Sequence, residues 1–589
     1  MSSIAMAACQ INPLVGDVEG NVTKMLRLVE KVKSEGASLA IFPELSISGY
    51  PPEDLLAKPS YLRKCASELD RMASQVNGIT VIVGVPEADQ GDLFNSAAII
   101  DSGKVVRFVR KELLPNYLVF DEKRYFSPGT GPSIIFDKDD VWFGVSICED
   151  AWFADGPISK LAAYGAEVVI NINASPYSIG KRQDRAEMLR DRSTTNGISI
   201  VYVNQVGGQD ELVFDGASMV IDGRGVLVAT AIQCAEEIMI VDLEWDASSG
   251  TVVSAGHGQV RHLTPLGQPL ESSTYTGFSP GVVEAGLVEA EAAEMGVVEA
   301  EVYSVLVLGT RDYLFKNGFS DAVIGLSGGI DSSLVAVIAA DAVGSLHTHC
   351  IAMPSRYSSV GSLEDARLLA ENAGIDLSVV PIEDAHSVLS EGLKEVLGAE
   401  PSGLADENMQ SRIRGVILMA VSNANGWIVL TTGNKSELAT GYSTLYGDTA
   451  GGFAVIKDVP KTMVYRLARY RNKIAGRELI PQTVLDKPPS AELRPDQRDD
   501  QSLPPYDLLD PIMNGLVEQD MSIDELVSRG FDPQIVSRVA RLIDLAEYKR
   551  RQSPPGIKIT TKAFGKDRRV PITNHYRDIP ATDLSSDKA

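Results

Sequence analysis

Apolar residues in the first 245 positions follow two alternating patterns. Short apolar runs are typical of buried strands, and the segments between them repeat apolar residues every three to four positions, as helices do. One predicted helix carries on a single face Val22, Met25, Leu26, Val29 and Val32. The predicted strands are IAMAACQI, SLAIFPE, ITVIVGVPE, SAAIID, VWFGVSIC, EVVINI, ISIVYVNQ and ASMVID. This alternation predicts an α/β domain that is rich in sheet.

A second α/β pattern begins near residue 301, with the strand AVIGL at Ala322 and the helix SSLVAVIAADAV. Before it, Pro and Gly lead into the acidic segment GVVEAGLVEAEAAEMGVVEAE, which is typical of a linker that leads into a helix. We therefore predict a domain over residues 1–245, a linker over 246–300 and a second domain over 301–589. The proline-rich segment 481–505 is predicted to be a mobile loop.

Composition narrows the class of protein. Hydrophobic residues make up 44% and charged residues 23% of the 589 positions, as in folded globular proteins. The net charge of −25 would repel a phosphate backbone, so non-specific nucleic-acid binding is not expected. No apolar run reaches the roughly 18 residues that span a bilayer, and no basic residue precedes Lys24, so we expect a cytoplasmic protein without a membrane segment.

The cysteines and histidines do not form metal-binding motifs. The five cysteines are scattered and never spaced CxxC, and the six histidines form no HExxH pattern. His347 and His349 lie in the predicted strand HTHCIAM, where alternation would put both on one face. We interpret that pair as structural.

Three reactive side chains lie just past the carboxyl ends of predicted strands, where α/β folds usually carry function. They are Glu44, Lys111 and Cys148. A lone cysteine is more often a buried apolar residue than a nucleophile, so Cys148 is a candidate only together with the other two. A thiol near pKa 8.5 must lose its proton to attack an amide, a carboxylate can take that proton, and a buried ammonium stabilises negative charge that forms on oxygen.

The segments IFPELSISGYPPEDL, RKELLPNYLVFDEKRYF and GVSICEDAW resemble the nitrilase superfamily of carbon–nitrogen hydrolases. The resemblance covers residues 1–245 and implies an αββα sandwich. It implies that Cys148 is the nucleophile, Glu44 the general base and Lys111 the cation that stabilises the tetrahedral oxyanion. Glu122 matches a further glutamate of many members, which would orient the lysine or the leaving amine.

The segment AVIGLSGGIDSSLVAV predicts a strand, a glycine-rich turn and a helix. Gly328 and Gly329 would let backbone N–H groups approach an anion at the helix N-terminus. No GxxxxGK[ST] motif occurs, so this is not a Walker A loop. The SGGxDS pattern resembles the pyrophosphate loop of the ATP pyrophosphatases, which implies that ATP binds through Ser327, Gly328, Gly329, Ile330, Asp331, Ser332 and Ser333.

Later segments narrow the resemblance to the NAD synthetases: ENMQSRIRG, TTGNKSELATGYSTLYGD, DKPPSAELRPDQRDDQSLPPYDLLD and YKRRQSPPGIKIT. The whole chain resembles the glutamine-dependent members, whose second domain is a doubly wound parallel α/β fold of the ATP pyrophosphatase type. This implies that the nicotinate carboxylate of deamido-NAD attacks the α-phosphate of ATP, and that ammonia from glutamine then displaces AMP. Homo-oligomers, often octamers, are also implied.

The resemblance assigns further residues. Mg²⁺ would bind Asp331 and Glu437, and ATP would also contact Thr432 and Lys487. Deamido-NAD would contact Asn408, Glu437 and Lys549. Glutamine would contact Tyr117, Ser175 and Lys181, where a lysine replaces the arginine of some relatives and gives a point charge instead of a bidentate grip.

Three alternative functions stay open at this point. Another ATP pyrophosphatase, forming asparagine or guanylate, would use an amidotransferase domain with an N-terminal cysteine or a Cys-His-Glu triad. Here Ser2 follows the initiator and no histidine precedes His257. A tRNA-thiolating member would carry a basic surface, unlike this chain. In a non-enzymatic alternative, the first half is only a docking platform, which the presence of all three reactive residues disfavours.

Overall fold

The computed structural model describes residues 2–130, 134–246, 251–252, 260–264 and 294–574, together with residues 576 and 578. The chain divides into two compact units, Met1–Ala290 and Glu291–Ala589. Most of the segment 246–300, which we interpret as a linker, lies outside the described residues.

The described helices and strands of the first unit are β1 Ser2–Gln10, α1 Val18–Ser34, β2 Leu39–Ile41, α2 Pro59–Gln75, β3 Thr80–Asp89, β4 Asp92–Asp101, β5 Lys104–Arg110, β6 Ile135–Lys138, β7 Val141–Ile147, α3 Pro157–Ala163, β8 Val168–Asn173, α4 Lys181–Asn196, β9 Ser199–Asn204, β10 Val206–Gln209, β11 Leu212–Asp215, β12 Met219–Ile221, β13 Leu227–Thr230, β14 Glu237–Asp246, β15 Thr251–Val252 and β16 Val260–Leu263.

Two sheets stack in this unit. One has the strand order β15-β14-β1-β2-β3-β4-β5, with β16 also paired to β14, and the other has the order β13-β12-β9-β8-β7-β6. Along β1, Ile4 and Met6 face the core between the sheets, whereas Ala7 and Cys9 face the core beneath α1 and α2. Residues of α3 and α4 pack on the outer face of the second sheet. The predicted αββα sandwich is confirmed.

The three strands that carry the reactive residues end close to them in sequence. Glu44 follows β2, Lys111 follows β5 directly, and Cys148 follows β7 directly. Cys148 begins a 3₁₀ turn, Cys148–Ala151. The carboxyl ends of these strands therefore supply the first site.

The described helices and strands of the second unit are α5 Glu294–Lys316, β17 Ala322–Gly325, α6 Ile330–Val343, β18 Thr348–Ala352, α7 Val360–Ala373, β19 Asp376–Val379, α8 Glu383–Leu397, α9 Leu404–Asn425, β20 Ile428–Thr431, α10 Lys435–Thr440, β21 Phe453–Ala454, α11 Lys461–Ala475, α12 Gln482–Asp486, α13 Tyr506–Val517, α14 Ile523–Ser528, α15 Pro533–Leu545 and α16 Glu547–Arg550.

One parallel sheet organises the second unit. Its strand order is β19-β18-β17-β20-β21, so the order reverses at β17 and β20. In doubly wound folds, ligands bind at the carboxyl ends of the strands beside such a reversal. The SGGIDSS loop follows β17 and the loop of Thr432 follows β20, so both lie at this point. The predicted doubly wound fold is confirmed.

Two further predictions concern membrane segments and the pair of histidines, His347 and His349. Among the described residues, no helix is long and apolar enough to cross a membrane. The strand that carries His349 begins at Thr348, so His347 lies in the preceding 3₁₀ turn and not in the strand as predicted. Ring nitrogens of His347 and His349 lie 3.1 and 3.2 Å from the same Asp321 carboxylate oxygen, on the side of the sheet where the strands begin.

Candidate active sites

Cys148 lies at a strained and buried turn. Its φ angle is 44°, in the left-handed region that side chains rarely adopt, and only 5% of the residue is exposed. Burial raises the pKa of the Cys148 thiol well above its ordinary value, the charge of Glu44 raises it further, and Lys111 opposes both. The resting sulfur is therefore a protonated thiol, and a nearby base is needed to activate it.

Lys111 lies between two carboxylates. Its Nζ donates to Oε1 of Glu44 at 2.7 Å and to Oε1 of Glu122 at 2.8 Å. Burial raises the pKa of Glu122 to about 7, Lys111 opposes this shift, and the charge of Glu44 adds to it. Burial also works against the charged form of Lys111, but Glu122 and Glu44 outweigh it and raise the pKa of Lys111. The ammonium is therefore fixed in its charged form.

Side chains that the sequence analysis missed hold this cluster in place. Asn95 Nδ2 donates to Oε1 of Glu44 at 2.7 Å, and the Ala174 amide donates to its Oε2 at 2.9 Å. The Tyr50 hydroxyl donates to Oε1 of Glu122 at 2.9 Å. Glu44 thus keeps one orientation, which a general base requires.

Asp150 links the lysine segment to the nucleophile turn. Its Oδ1 accepts from the Leu113 amide at 2.9 Å, and its Oδ2 accepts from the Ile147 amide at 3.1 Å. Burial raises the pKa of Asp150 to about 7, whereas these amides oppose the shift. Because Asp150 lies two residues after Cys148, the sequence alone could have indicated that it helps to orient the nucleophile.

The residues predicted to bind glutamine lie around this turn. The Tyr117 hydroxyl donates to Glu149 Oε2 at 3.0 Å. Ser175 Oγ accepts from Arg185 Nε at 3.2 Å. Lys181 Nζ lies 3.8 Å from the centre of the Trp152 ring.

Glu149 is a further candidate, next to Cys148 in sequence and only 7% exposed. Burial raises the pKa of Glu149, while Tyr117, Lys111 and Lys181 oppose the shift. Burial lowers the pKa of Lys181, and Arg185 lowers it further. The Glu149 carboxylate and the Lys181 ammonium thus both lie near the Cys148 thiol. In the part of the chain that is described, they form no ion pair with each other. This arrangement complements a zwitterionic amino acid.

The second site is a cavity of about 570 Å³ in the second unit. Of the residues predicted to bind ATP, Mg²⁺ or deamido-NAD, it is lined by Ser327, Gly328, Gly329, Ile330, Asp331, Ser332, Asn408, Thr432, Glu437, Lys487 and Lys549. Ser333 is not part of the lining, because its buried hydroxyl donates to the Gly329 carbonyl at 2.8 Å. Ser333 instead stabilises the loop through this hydrogen bond to its backbone.

The glycine loop requires its glycines. Gly328 has a φ of +78°, and a Cβ there would lie 2.0 Å from the Ser362 carbonyl oxygen. The Gly329 amide donates to Ser327 Oγ at 3.2 Å, and Ser332 Oγ donates to the Gly329 carbonyl at 3.1 Å. Among the residues that the structure describes, no side chain caps the N-terminus of α6, so its positive end is available to an anion.

Two carboxylates beside this loop share a lysine. Lys461 Nζ donates to Asp331 Oδ2 and lies 3.3 Å from Oε1 of Glu437. Asn434 Nδ2 donates to Asp331 Oδ1 at 2.9 Å. Burial raises the pKa of Glu437 to about 8, with Lys461 opposing and Asp331 adding to the shift. The carboxylate oxygens of Asp331 and Glu437 thus already contact one cation, the Lys461 ammonium.

Sequence reasoning missed Lys461, although its position carried a signal. It is the first residue of α11, immediately after Pro460. The positive end of a helix is unfavourable for a lysine, so a cation there indicates nearby carboxylates or a ligand. Arg412 and Arg414 also line the cavity and add positive charge to it.

The remaining predicted residues form the cavity wall. Lys487 Nζ lies 2.6 Å from Asp365 Oδ2 and donates to Ser362 Oγ at 3.0 Å. Lys549 Nζ donates to the carbonyls of Gly441 and Ser443 at 2.8 and 2.7 Å. The cavity wall is thus built from segments that are far apart in the sequence.

Asn408 lines the cavity, and its Oδ1 accepts from Thr444 Oγ1 at 2.8 Å, which orients the side-chain amide. Thr432 lines the cavity directly after β20. Apart from Ser333, the residues predicted for the second site therefore all line the cavity.

Two classes of enzyme are combined in this chain. A Glu–Lys–Cys cluster on an αββα sandwich defines an amide-hydrolysing domain of the nitrilase type. A glycine-rich loop at the reversal of a parallel sheet defines an ATP-using domain of the pyrophosphatase type.

Comparison with known proteins gives the family. The carbon-nitrogen hydrolase family model matches residues 5–249, and the NAD synthase family model matches residues 302–553. The chain is 43% identical to the glutamine-dependent NAD(+) synthetase of Thermotoga maritima over 581 residues, which are 98% of this chain and 100% of that protein. It is also 43% identical to the enzyme of the same name from Aquifex aeolicus, over 97% of this chain and 99% of that protein.

A solved structure agrees with these relatives. The glutamine-dependent NAD+ synthetase of Acinetobacter baumannii in complex with adenosine diphosphate superposes with a TM-score of 0.74 at 37% identity, covering 98% of this chain and 100% of that one. The chain belongs to the glutamine-dependent NAD(+) synthetase family. The resemblance drawn from the sequence is confirmed, and the alternatives that lead to asparagine, guanylate or thiolated tRNA are set aside.

Proposed function

We propose that this protein converts deamido-NAD to NAD, using ATP to activate the nicotinate carboxylate and glutamine as the source of ammonia. One observation carries the proposal: a single chain combines a buried Glu–Lys–Cys cluster with a phosphate loop that opens into a cavity of about 570 Å³. The first would release ammonia and the second would consume it. Membership of the synthetase family supports this reaction.

In the first site, Glu44 takes the proton of the Cys148 thiol, and the sulfur attacks the side-chain amide carbon of glutamine. Negative charge then forms on the amide oxygen, where the Lys111 ammonium stabilises it. Glu44 passes the proton to the leaving nitrogen, ammonia departs, and a thioester remains on Cys148. Glu44 next takes a proton from water, which attacks the thioester carbon; the C–S bond breaks, glutamate is released, and Glu44 returns the proton to the Cys148 sulfur.

Glu122 acts in this scheme through Lys111. Because Lys111 Nζ is bonded to both Glu44 and Glu122, its ammonium points toward the reacting centre with little freedom. Such prior orientation avoids reorganisation when the oxyanion forms. Glu122 is therefore a positioning residue in the proposal.

The α-carboxylate and the α-ammonium of glutamine would each bind a separate protein group. Lys181 would attract its α-carboxylate at the N-terminus of α4, a position that favours an anion. Glu149, which accepts a hydrogen bond from the Tyr117 hydroxyl, would accept hydrogen bonds from the α-ammonium of glutamine. Ser175, oriented by Arg185, would hydrogen-bond the substrate.

In the second site, the loop from Ser327 to Ser333 would bind the pyrophosphate portion of ATP. The free N-terminus of α6 supplies backbone donors and a favourable dipole. Lys461 and Lys487 border the loop and would neutralise the departing pyrophosphate. Thr432 would contact ATP from the end of β20.

Mg²⁺ fits the chemistry of this site. Asp331 and Glu437 supply hard carboxylate oxygens that already share the cation of Lys461. Mg²⁺ is usually held by one or two carboxylates together with substrate phosphates, and no larger cluster of metal ligands occurs among the described residues. When bound, the ion would screen the phosphate charge that otherwise repels an attacking carboxylate.

Deamido-NAD would occupy the part of the cavity near Asn408, Glu437 and Lys549. Its carboxylate oxygen attacks the α-phosphorus of ATP and expels pyrophosphate, which gives an acyl adenylate. Ammonia then attacks the acyl carbon, AMP leaves, and the carboxamide of NAD is formed. The arginines that line this cavity add charge suited to two nucleotides.

Homo-oligomer formation is part of the proposal. Val388, Val396 and Leu397 of α8 are 72%, 80% and 57% exposed in the single chain. Exposed apolar side chains that cluster on one helix are typical of an interface. Sedimentation velocity should therefore give a mass above that of one chain, and Val396→Lys combined with Leu393→Glu should lower it.

The proposed function is tested by incubating the full chain with glutamine alone, and then with ATP, Mg²⁺ and deamido-NAD. We expect glutamate release in the first incubation, and NAD, AMP and pyrophosphate in the second. Omitting glutamine and adding ammonium salt should still yield NAD. Glutamate release without NAD from either nitrogen source would overturn the synthetase assignment.

A further inference from the structure

Trp152 lies on the same turn as the nucleophile. The turn runs from Cys148 to Ala151, and the Trp152 amide closes it by donating to the Glu149 carbonyl at 3.0 Å. One side of the indole packs against the core that contains Ile158 and Leu161. Lys181 Nζ lies 3.8 Å from the centre of the ring. The backbone that orients Cys148 therefore also orients the ring.

Lys181 occupies an unfavourable place for a cation. It is the first residue of the 16-residue helix α4, where the helix dipole favours an anion. Lys181 is half-buried and forms no ion pair with a carboxylate within the part of the chain that the structure describes. Burial lowers the pKa of Lys181, and the charges of Asp184 and Glu149 oppose this shift without cancelling it, so the protein compensates the charge only in part. An external anion would satisfy it.

An aromatic face can hold a cation without neutralising it. The negative π face attracts an ammonium, and the attraction grows when water is excluded. A carboxylate in the same place would form an ion pair with Lys181 and compete with an incoming anion. The indole thus fixes the position of the ammonium and leaves its charge available.

We infer that Trp152 is a positioning residue that holds the Lys181 ammonium for the α-carboxylate of glutamine and thereby makes the first site selective for amides that carry this carboxylate. This inference rests on the proposed role of Lys181 in glutamine binding. Trp152 acts through Lys181 and does not take part in the bond-making steps. Its loss should therefore weaken substrate binding and leave the chemical step intact.

The test compares glutamine with 4-aminobutanamide, which is glutamine without its α-carboxylate. Hydrolysis of each amide is measured as the acid that it forms, glutamate or 4-aminobutanoate, on the full chain with ATP, Mg²⁺ and deamido-NAD present. For Trp152→Leu we expect the KM for glutamine to rise about tenfold at nearly unchanged kcat, an effect between those of an exposed and a desolvated cation–π contact, because Lys181 is half-buried. The kcat/KM for 4-aminobutanamide should change less than twofold. Trp142→Leu is the matched control, because Trp142 lies exposed on β7, and it should change neither value.

A second measurement keeps the shape of the ring. Fluorine withdraws electron density from the indole face, so protein grown with mono-, di- and trifluorinated tryptophan should show a stepwise rise in the KM for glutamine. Trp152→Phe protein grown in the same way controls for the other three tryptophans of the chain. A KM that is independent of fluorination would overturn the inference, even if Trp152→Leu does not fold.

Failure of the inference can be told apart from failure of the glutamine site. Lys181→Ala should reduce the preference for glutamine over 4-aminobutanamide, and adding Trp152→Leu to it should have little further effect. If Lys181→Ala leaves the preference unchanged, the proposed carboxylate site is wrong. If Lys181→Ala removes the preference and Trp152→Leu does not, only the role of Trp152 is wrong.

Discussion

Nζ of Lys111 donates to Oε1 of Glu44 at 2.7 Å, and both side chains are fully buried. Glu122 lies 2.8 Å from the same ammonium, so two carboxylates share one cation away from water. Such a cluster is costly when both carboxylates are ionised. Burial raises the pKa of Glu122 to about 7, which is the physical sign of that cost.

This pKa shift predicts a pH-dependent stability. A carboxyl whose folded pKa is raised from 4.5 to about 7 stabilises the fold below pH 4.5, and this contribution is lost as the pH rises through 7. Glu122→Gln cannot ionise and keeps an oxygen for Lys111 and Tyr50. The melting temperature of the variant minus that of the parent should therefore increase between pH 5 and pH 8. Thermal melts at several pH values check this, and a difference that falls over this range would be inconsistent with the shift.

Gly328→Ala should damage the second site alone. The new Cβ would lie 2.0 Å from the Ser362 carbonyl, and the φ of +78° is unfavourable for alanine. Displacing the phosphate loop by about 1 Å can lower synthesis by about a hundredfold. Gly361→Ala is the matched control, because no atom of the described part of the chain lies within 4 Å of a Cβ there. Steady-state synthesis with ammonium salt measures the effect, and equal rates in both variants would contradict the assigned loop geometry.

Asp331→Asn should remove synthesis from both nitrogen sources. A neutral amide is a poorer Mg²⁺ ligand than a carboxylate, and it also loses the ion pair with Lys461. We expect NAD formation to fall by at least about a hundredfold, while glutamate release from glutamine survives. Parallel assays of NAD and glutamate measure the split. Normal synthesis at saturating Mg²⁺ would exclude Asp331 from the site.

The sequence predicts residues that lie at the ends of apolar strands better than residues that only tertiary packing brings in. Glu44, Lys111 and Cys148 each follow a strand, and the apolar runs indicated them together with the resemblance of their segments to the nitrilase superfamily. Lys461 reaches Asp331 across 130 positions, and no local pattern links the two. Trp152 likewise meets Lys181 only because the nucleophile turn and the start of α4 pack together.

Local structure was predicted less accurately where tertiary contacts override alternation. The run HTHCIAM predicts a strand through His347, but the strand begins at Thr348, and His347 turns instead toward Asp321. The mobility of the proline-rich segment 481–505 stays a prediction; within it, a short helix forms over Gln482–Asp486, and Lys487 then pairs with Asp365. His347 and Lys487 thus each contact a carboxylate of a distant segment, which no local pattern in the sequence indicates.

The central claim is that two separate sites share one chain, and Cys148→Ala tests it most directly. Without a thiol no thioester forms, so synthesis from glutamine should fall by about four orders of magnitude or more. Because Cys148 is buried, a melting curve must first establish that the variant is folded. The decisive measurement is the rate of NAD formation by folded Cys148→Ala with glutamine and with ammonium salt. We expect the rate with glutamine to be lost and the rate with ammonium salt to be retained, whereas equal loss with both would show that the two sites are not separate.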